Sequence, residues 1–337
     1  MRTRFRQADY TDEYAMWTLA YAWLCRQRKH DPANADVWDL RWRWTEQGSV
    51  LFQRVFAGKY RLSPMQVYGQ RGEYLAMWSA ADALVLKWVT LRVEGLLPKP
   101  DACHHLKGKG VLYSLESVTD ALNSRRYGYV HRTDIRGYYE HIRTSQLIAH
   151  VSRYVTDPVC LDLISQYAHY SVEYGGNIHT PPNGIPRGCA LSPLIGGSLL
   201  HHIDSDFASL RSEDYFYVRY MDDFLLFTRT RWQLRRGISR LANYFNLSGF
   251  VRHPDKTQTG KIDRGFDWTG IWFTSDRATI APRALNNHRE RRVRLYEQAR
   301  RRGLSCEEAS ERVRAYDERW GTWADRLLKV CRKSWAR

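Results

Sequence analysis

The chain has 337 residues, 43% of them apolar and 13% aromatic, which suits a sizeable core and two or three subdomains and argues against a disordered chain. A formal charge of +16 points to a polyanionic partner, nucleic acid ahead of an anionic membrane. The sequence has no uninterrupted apolar window of about 18 residues, and its opening "MRTRFRQADYTDEY" lacks the apolar core of a signal peptide, so no membrane association is expected.

Residues 1 to about 58 read as Trp-rich helices broken at "HDPANADVW". "YRLSPMQVYGQRGEYLAMW" reads as a hairpin of two short strands around Gly69 to Gly72. In "SAADALVLKWVTLRVEGLL" the spacing of Ala83, Leu86, Val89, Leu91 and Val93 predicts a helix, with Ser79 as its N-cap. "YGYVHRTDIRGYYEHI" begins as an apolar strand that ends at Asp134 and leads into a helix. After a further helical stretch, "VEYGGNIHTPPNGIPRGCA" is a Gly/Pro loop. A helix follows, with Ser192 as N-cap and Pro193 at its first position. "DYFYVRYMDDFLLFTRT" predicts two strands, and a helix is expected near positions 233–246. "RGFDWTGIWFTSDRATI" returns to strands.

The tail is helical, with Gly303 and Gly321 as stops, a capping box at "SCEE" from Ser305 and a similar one at "TWAD" from Thr322. From residue 281 onward there are 16 Lys and Arg against 8 Asp and Glu, so half of the net charge lies there. That is either a solvated helix face or a nucleic-acid contact. Alternating strands and helices before it indicate α+β or mixed α/β. The six cysteines are scattered without a Cys-x-x-Cys pair, which fits a reducing cytoplasm and excludes a zinc site or disulfide framework of that type.

Asp222 and Asp223 stand side by side between two apolar runs, where their charges repel. Met-Asp-Asp is either the polar turn of a hairpin or part of a metal site. Mg²⁺ prefers hard oxygens, usually one or two carboxylates plus substrate phosphates, and two such ions about 3.5–4 Å apart can drive phosphoryl transfer. Such a site needs a carboxylate from a neighbouring strand. Asp134, at the end of an apolar strand, is the candidate, its ordinary alternative being a helix N-cap. Tyr139, five residues on, is either a core aromatic or a ring closing over a nucleotide sugar so that no 2′-hydroxyl fits. "GIPRGCALSP", from Gly184 to Pro193, is either an ordinary loop into a helix or a close-approach turn with a phosphate-favouring helix N-terminus.

Taken together, Asp-Ile-x-x-x-Tyr, then Gly-Ile-Pro-x-Gly-x-x-x-Ser-Pro, then Tyr-Met-Asp-Asp resembles the ordered catalytic signature of reverse transcriptases. "HPDKTQ" with Lys256 and the strand pair "GFDWTGIWF" resemble the family's next two motifs, the second a primer grip. "HHLKGKG" and "SAADALVLK" are similar to the finger region of bacterial enzymes of the group II intron-like lineage. The likeness is dense over residues 132–273 and thinner over 60–110.

The resemblance implies an α+β right-hand polymerase fold. N-terminal helices and fingers would occupy 1–130. A palm, an antiparallel sheet backed by helices, would occupy 131–280 with a finger insertion at about 145–185, and a small basic helical thumb 281–337. By the same resemblance Asp134 and Asp222 bind Mg²⁺ directly, Asp223 is a third, less direct carboxylate, and Ile135 joins them in the metal set. Two Mg²⁺ ions are expected, with Mn²⁺ as a substitute. Ile135, Tyr139, Arg187, Gly188 and Tyr220 form the nucleotide-binding set, with Tyr139 as steric gate and Tyr220 beside the primer terminus. Lys256 joins the catalytic acids as the proton donor to pyrophosphate.

Two departures from the family stand out. Arg187 occupies a position where relatives carry Gln, so a charged donor replaces an amide that both donates and accepts. The second finger strand "EYLAMW" lacks the Arg that holds the triphosphate in many relatives, leaving Arg71 or Lys87 to replace it. After the final strand about 57 residues remain, so no RNase H, integrase or endonuclease domain is expected. This layout resembles stand-alone bacterial reverse transcriptases, several of them anti-phage defence proteins with a partner noncoding RNA. The implied activity is RNA-directed DNA polymerisation, adding dNTPs to a 3′ or protein hydroxyl on an RNA template to give a DNA product. The alternatives are a template-independent or protein-primed nucleotidyltransferase, and a non-catalytic RNA-binding module with a polymerase fold.

Overall fold

The structure is a computed structural model that describes residues 7–70, 73–106, 108–210 and 213–335. The chain opens with helices α1 (Gln7–Gln27), α2 (Asp36–Trp42) and α3 (Trp44–Phe56), then strands β1 (Met65–Gln70) and β2 (Glu73–Met77). Helices α4 (Ala80–Val93) and α5 (Val111–Asn123) precede strand β3 (Tyr129–Asp134). Next come α6 (Tyr138–His141), α7 (Thr144–Val151), α8 (Pro158–Ala168), β4 (Val172–Tyr174) and β5 (Asn177–His179). Helices α9 (Leu191–Leu199) and α10 (His201–Ala208) lead to β6 (Tyr215–Tyr220), β7 (Asp223–Thr228) and α11 (Arg231–Ser248). Strands β8 (Gln258–Lys261), β9 (Phe266–Trp268), β10 (Ile271–Phe273) and β11 (Ala278–Ile280) are followed by α12 (Pro282–Arg301) and α13 (Cys306–Trp335). Two compact units result: residues up to Lys99 with Gly137–Leu200, and Pro100–Arg136 with His201 onward.

In the first unit α4 is buried on nearly every side, through Leu84, Val85, Leu86, Trp88 and Val89, because α1, α2, α8 and α9 surround it. Ser79 caps it as expected, its hydroxyl accepting the Asp82 N–H at 3.0 Å. Trp17, Phe52 and Trp88 meet ring to ring, which explains the Trp-rich start of the sequence. The sheet runs β2-β1-β4-β5. The turn of the β1–β2 hairpin, with Arg71, lies outside the described residues.

The stretch expected to be a Gly/Pro loop begins instead as the hairpin β4–β5. Gly175 and Gly176 have φ of +59° and +86°, the left-handed pair that a tight two-residue hairpin turn requires. The following helix also starts earlier than expected. Ala190, not Ser192, holds the cap position, and Ser192 lies inside α9. Its hydroxyl is buried, donating to the Pro186 carbonyl at 2.7 Å and accepting from the Tyr167 hydroxyl at 2.8 Å. A tertiary network has taken the side chain that would otherwise cap the helix.

The second unit is built on an antiparallel sheet in the order β6-β7-β3-β8. Its register sorts side chains into two faces. Val218, Leu225, Phe227 and Val130 share one face and form a core with Leu115 and Val118 of α5, Phe266, Trp268, Ile271 and Phe273 of the β9–β11 sheet, and Leu327 of α13. The same face carries Arg132, Asp134, Tyr220 and Asp223 at its other end. Tyr217, Arg219, Phe224 and Leu226 point the opposite way, where Phe224 meets Phe245 of α11 and Tyr217 stacks on Phe207 of α10.

The capping box at Thr230 and Gln233 starts α11, and Ser305 with Glu308 forms the one expected ahead of α13. Gly303, at φ +87°, follows the end of α12 as expected. Gly321 does not stop a helix, and Thr322 starts none, because α13 runs through both. Buried Ala309, Val313, Ala324, Leu327 and Cys331 repeat at helical spacing across Gly321, and that apolar stripe outweighs a cost of about 1 kcal/mol for one interior glycine.

Candidate active site

Strands β6 and β7 are joined by a turn at Met221 and Asp222, and Tyr220 pairs with Asp223 across it. On the other side Asp223 pairs with Asp134, the last residue of β3. The backbone ties the three acids together further: the Ile135 N–H donates to the Asp222 carbonyl at 3.2 Å and the His253 N–H to the Asp134 carbonyl at 2.8 Å. Asp134, Ile135, Tyr220, Asp222, Asp223 and Lys256 therefore all belong to one end of the second unit. Ile135 has a buried aliphatic side chain, so only its backbone carbonyl is available to a metal.

Cations already stand among these acids. Lys256, on a 3-10 turn before β8, donates from Nζ to Asp134 Oδ2 at 2.6 Å. Arg132, two residues before Asp134 on the same face, donates from Nη2 to Asp223 Oδ1 at 2.5 Å and from Nη1 to the Lys256 carbonyl at 2.8 Å. Burial first, then the negative charges of Asp134 and Asp223, push the Asp222 carboxyl up to about 7. Lys256 opposes the shift at Asp222 without cancelling it. Asp223 is raised as well, by burial, with Arg132 opposing the shift.

Among the described residues no three carboxylate, imidazole or thiol groups form a ready-made metal cage. The donor set nevertheless suits hard divalent ions. It is all oxygen, it carries one carboxylate that burial and repulsion push toward its protonated form, and its other two acids are held by side chains that a stronger cation would displace. Asp134, Asp222, Asp223 and the Ile135 carbonyl are the groups that could hold such ions.

Three expected residues belong to the first unit: Tyr139, Arg187 and Gly188. Tyr138, not Tyr139, is the fully buried ring of its pair, with its hydroxyl donating to the Gly196 carbonyl at 2.7 Å. Tyr139 is half-buried against α9, and a Cβ at Gly196 would come within 2.7 Å of its ring, so only glycine leaves it room. Arg187 is exposed and pairs with Glu140 at 3.1 Å, a surface contact of small energetic value. Lys87 lies over the Trp23 ring, at 5.5 Å from its centroid.

Sequence reasoning missed three residues here. Arg132 was detectable, since a charge two positions before Asp134 in a strand must share its face. Arg219 was a second signal: an arginine inside the apolar run "YFYVRY" must find a buried partner, which is Asp204 of α10. His105 left no local signal.

The sequence model of the family described as "Reverse transcriptase (RNA-dependent DNA polymerase)" matches residues 93–273, just over half of the chain. No curated protein matches the chain. Among solved structures it is similar to apo telomerase from Candida tropicalis, at 13% identity and a TM-score of 0.47, over 69% of this chain and 52% of that one. The same telomerase truncated from its C-terminal domain gives 13% identity and a TM-score of 0.46, over 71% and 60%. The chain thus spans between half and two thirds of those relatives' lengths.

Proposed function

This chain belongs to the reverse transcriptase family of RNA-dependent DNA polymerases, and on that premise we propose that it copies RNA into DNA with Asp134, Asp222 and Asp223 as its metal-holding acids. The observation that carries the reading is the convergence of these carboxylates at one sheet end, with Asp222 pushed up to about 7 by burial and by its two acidic neighbours. Asp134 and Asp222 offer direct ligands, and Asp223, tied to Arg132, is the less direct one. Asp134, Asp222, Asp223 and the Ile135 carbonyl would hold two divalent ions, Mg²⁺ or Mn²⁺, which would supply Lewis-acid activation of the attacking hydroxyl and charge neutralisation at the leaving pyrophosphate.

The remaining roles fall to side chains of this chain. Lys256 holds Asp134 in the resting site and, once released, donates a proton to pyrophosphate. Tyr220 lies beside the primer terminus, Tyr139 excludes a 2′-hydroxyl, and Arg187 and Gly188 contact the nucleotide. Fingers over 1–130, palm over 131–280 and a basic thumb over 281–337 complete the reading. The template is a partner noncoding RNA, and the bacterial subgroup that the finger motifs resemble suggests a cytoplasmic anti-phage role.

Primer extension on an RNA template with dNTPs and Mg²⁺ tests the site. Asp222→Asn with Asp223→Asn should abolish incorporation while the circular dichroism spectrum stays that of the wild type. Unchanged extension by the double variant would remove the assignment.

A further inference from the structure

Met221, which joins the two strands ahead of the acidic pair, is a non-glycine residue with φ +59°, a left-handed conformation that side chains resist. Both of its backbone polar groups are held by side chains. The carbonyl accepts from Arg219 Nη1 at 2.7 Å, and the N–H donates to His105 Nδ1 at 2.9 Å. Arg219 is itself immobilised. It is fully buried and forked onto Asp204, with Nε to Oδ1 at 2.8 Å and Nη2 to Oδ2 at 2.5 Å, and the Tyr217 hydroxyl adds a bond to Asp204 at 2.7 Å.

His105 reaches the turn because its segment runs beside β6 as an extra edge. The Arg219 N–H donates to the Ala102 carbonyl and the His104 N–H to the Arg219 carbonyl, both at 2.8 Å, with Cys103 opposite Arg219. This register carries the imidazole past the strand end, where its ring lies 6.0 Å from that of Tyr220. The Cys103 sulfur is 3.4 Å from the same Nδ1, and burial pushes that thiol up to about 11. Both neighbours of Nδ1 are therefore donors, which fixes it as an acceptor and the ring as the Nε2–H tautomer.

We propose that His105 is a positioning residue for nucleotide addition: with Arg219 it clamps the backbone of Met221 and so fixes where the adjacent Asp222 carboxylate stands. The inference rests on the reading of Asp222 as a metal-holding acid. It assigns a role to "HHLKGKG" that has nothing to do with nucleotide contact. A clamp acts on the reacting geometry rather than on substrate affinity, so its loss lowers the maximal rate more than it weakens dNTP binding.

The test uses His105→Leu, which keeps bulk and removes the acceptor, and His105→Asn, whose amide oxygen can replace Nδ1. Single-turnover dNTP addition and the rise in Tm produced by Mg²⁺ are measured for both variants and the wild type. His105→Leu should slow the maximal rate about tenfold, equivalent to about 1.4 kcal/mol, with the dNTP half-saturation within about twofold and a smaller Mg²⁺-induced rise. His105→Asn should recover the rate to within about threefold. A wild-type rate in His105→Leu overturns the clamp, as does an equal loss in both variants when both remain folded. Should the wild type add no nucleotide, the polymerase reading fails by itself. The Mg²⁺-induced rise then decides the clamp alone: a smaller rise in His105→Leu supports it, and an equal rise overturns it.

Discussion

Replacing Asp222 by Asn should stabilise the metal-free protein, and it should do so only at neutral to alkaline pH. The folded protein holds the Asp222 carboxyl at about 7 against an ordinary value of 3.8. Folded protein therefore keeps a proton that the unfolded chain releases, and stability falls as pH rises from about 4 to about 7. A shift of about three pKa units corresponds to about 4 kcal/mol at about 1.36 kcal/mol per unit. Asn retains part of the polar desolvation cost, so a net gain of about 2–3 kcal/mol at pH 8 is expected. In a chain of this size that raises Tm by about 3–4 °C. The assay is thermal unfolding of wild type and Asp222→Asn in EDTA at pH 5 and pH 8, then at pH 8 with Mg²⁺. The variant should be the more stable at pH 8, nearly equal at pH 5, and without the wild type's gain on adding Mg²⁺. If Asp222→Asn is no more stable than wild type at pH 8 in EDTA, burial and the neighbouring acids do not hold the Asp222 carboxyl up.

Three other outcomes follow from the same geometry. Lys256→Ala should slow chemistry by about 10²–10⁴-fold if the lysine is the proton donor. It should also lower the Mg²⁺ concentration for half-maximal rate, because the ion no longer competes for Asp134; an unchanged Mg²⁺ requirement would mean that their 2.6 Å contact does not persist in solution. Tyr139→Ala should raise rNTP relative to dNTP incorporation, and an unaltered ratio would leave its ring as packing for α9. Replacing Arg291, Arg294 and Arg301, all exposed on α12, by Gln should flatten the log K–log salt slope for primer–template binding by about two units, whereas wild-type affinity and slope would make that face mere solvated charge.

What the sequence allowed to be read was mostly local. Short apolar runs on either side of Met221 and Asp222 mark the β6–β7 hairpin, and Ser305 with Glu308 announces a helix within four residues. The two acids at positions 222 and 223 and the strand ending at Asp134 were visible for the same reason. Features set by tertiary partners were not. Ser192 looks like a cap until Tyr167 and Pro186 claim its hydroxyl. Gly321 looks like a stop until the buried stripe of α13 is seen to continue past it. Gly175-Gly176 is different, since a two-glycine hairpin turn is a local signal that the surrounding prolines obscured. His105 contacts Met221 across 116 residues of chain, a distance over which no spacing rule operates.

If this site builds DNA on an RNA template, the sequence of its product must follow that RNA. Purified protein is given an RNA of known sequence with a DNA primer, dNTPs and Mg²⁺, and the DNA it makes is sequenced. The expected product is DNA complementary to that RNA, changing when the RNA is changed and missing when Asp222 and Asp223 are replaced by Asn. DNA whose sequence ignores the RNA supplied, or DNA joined to the protein and made equally well without any RNA, would contradict it.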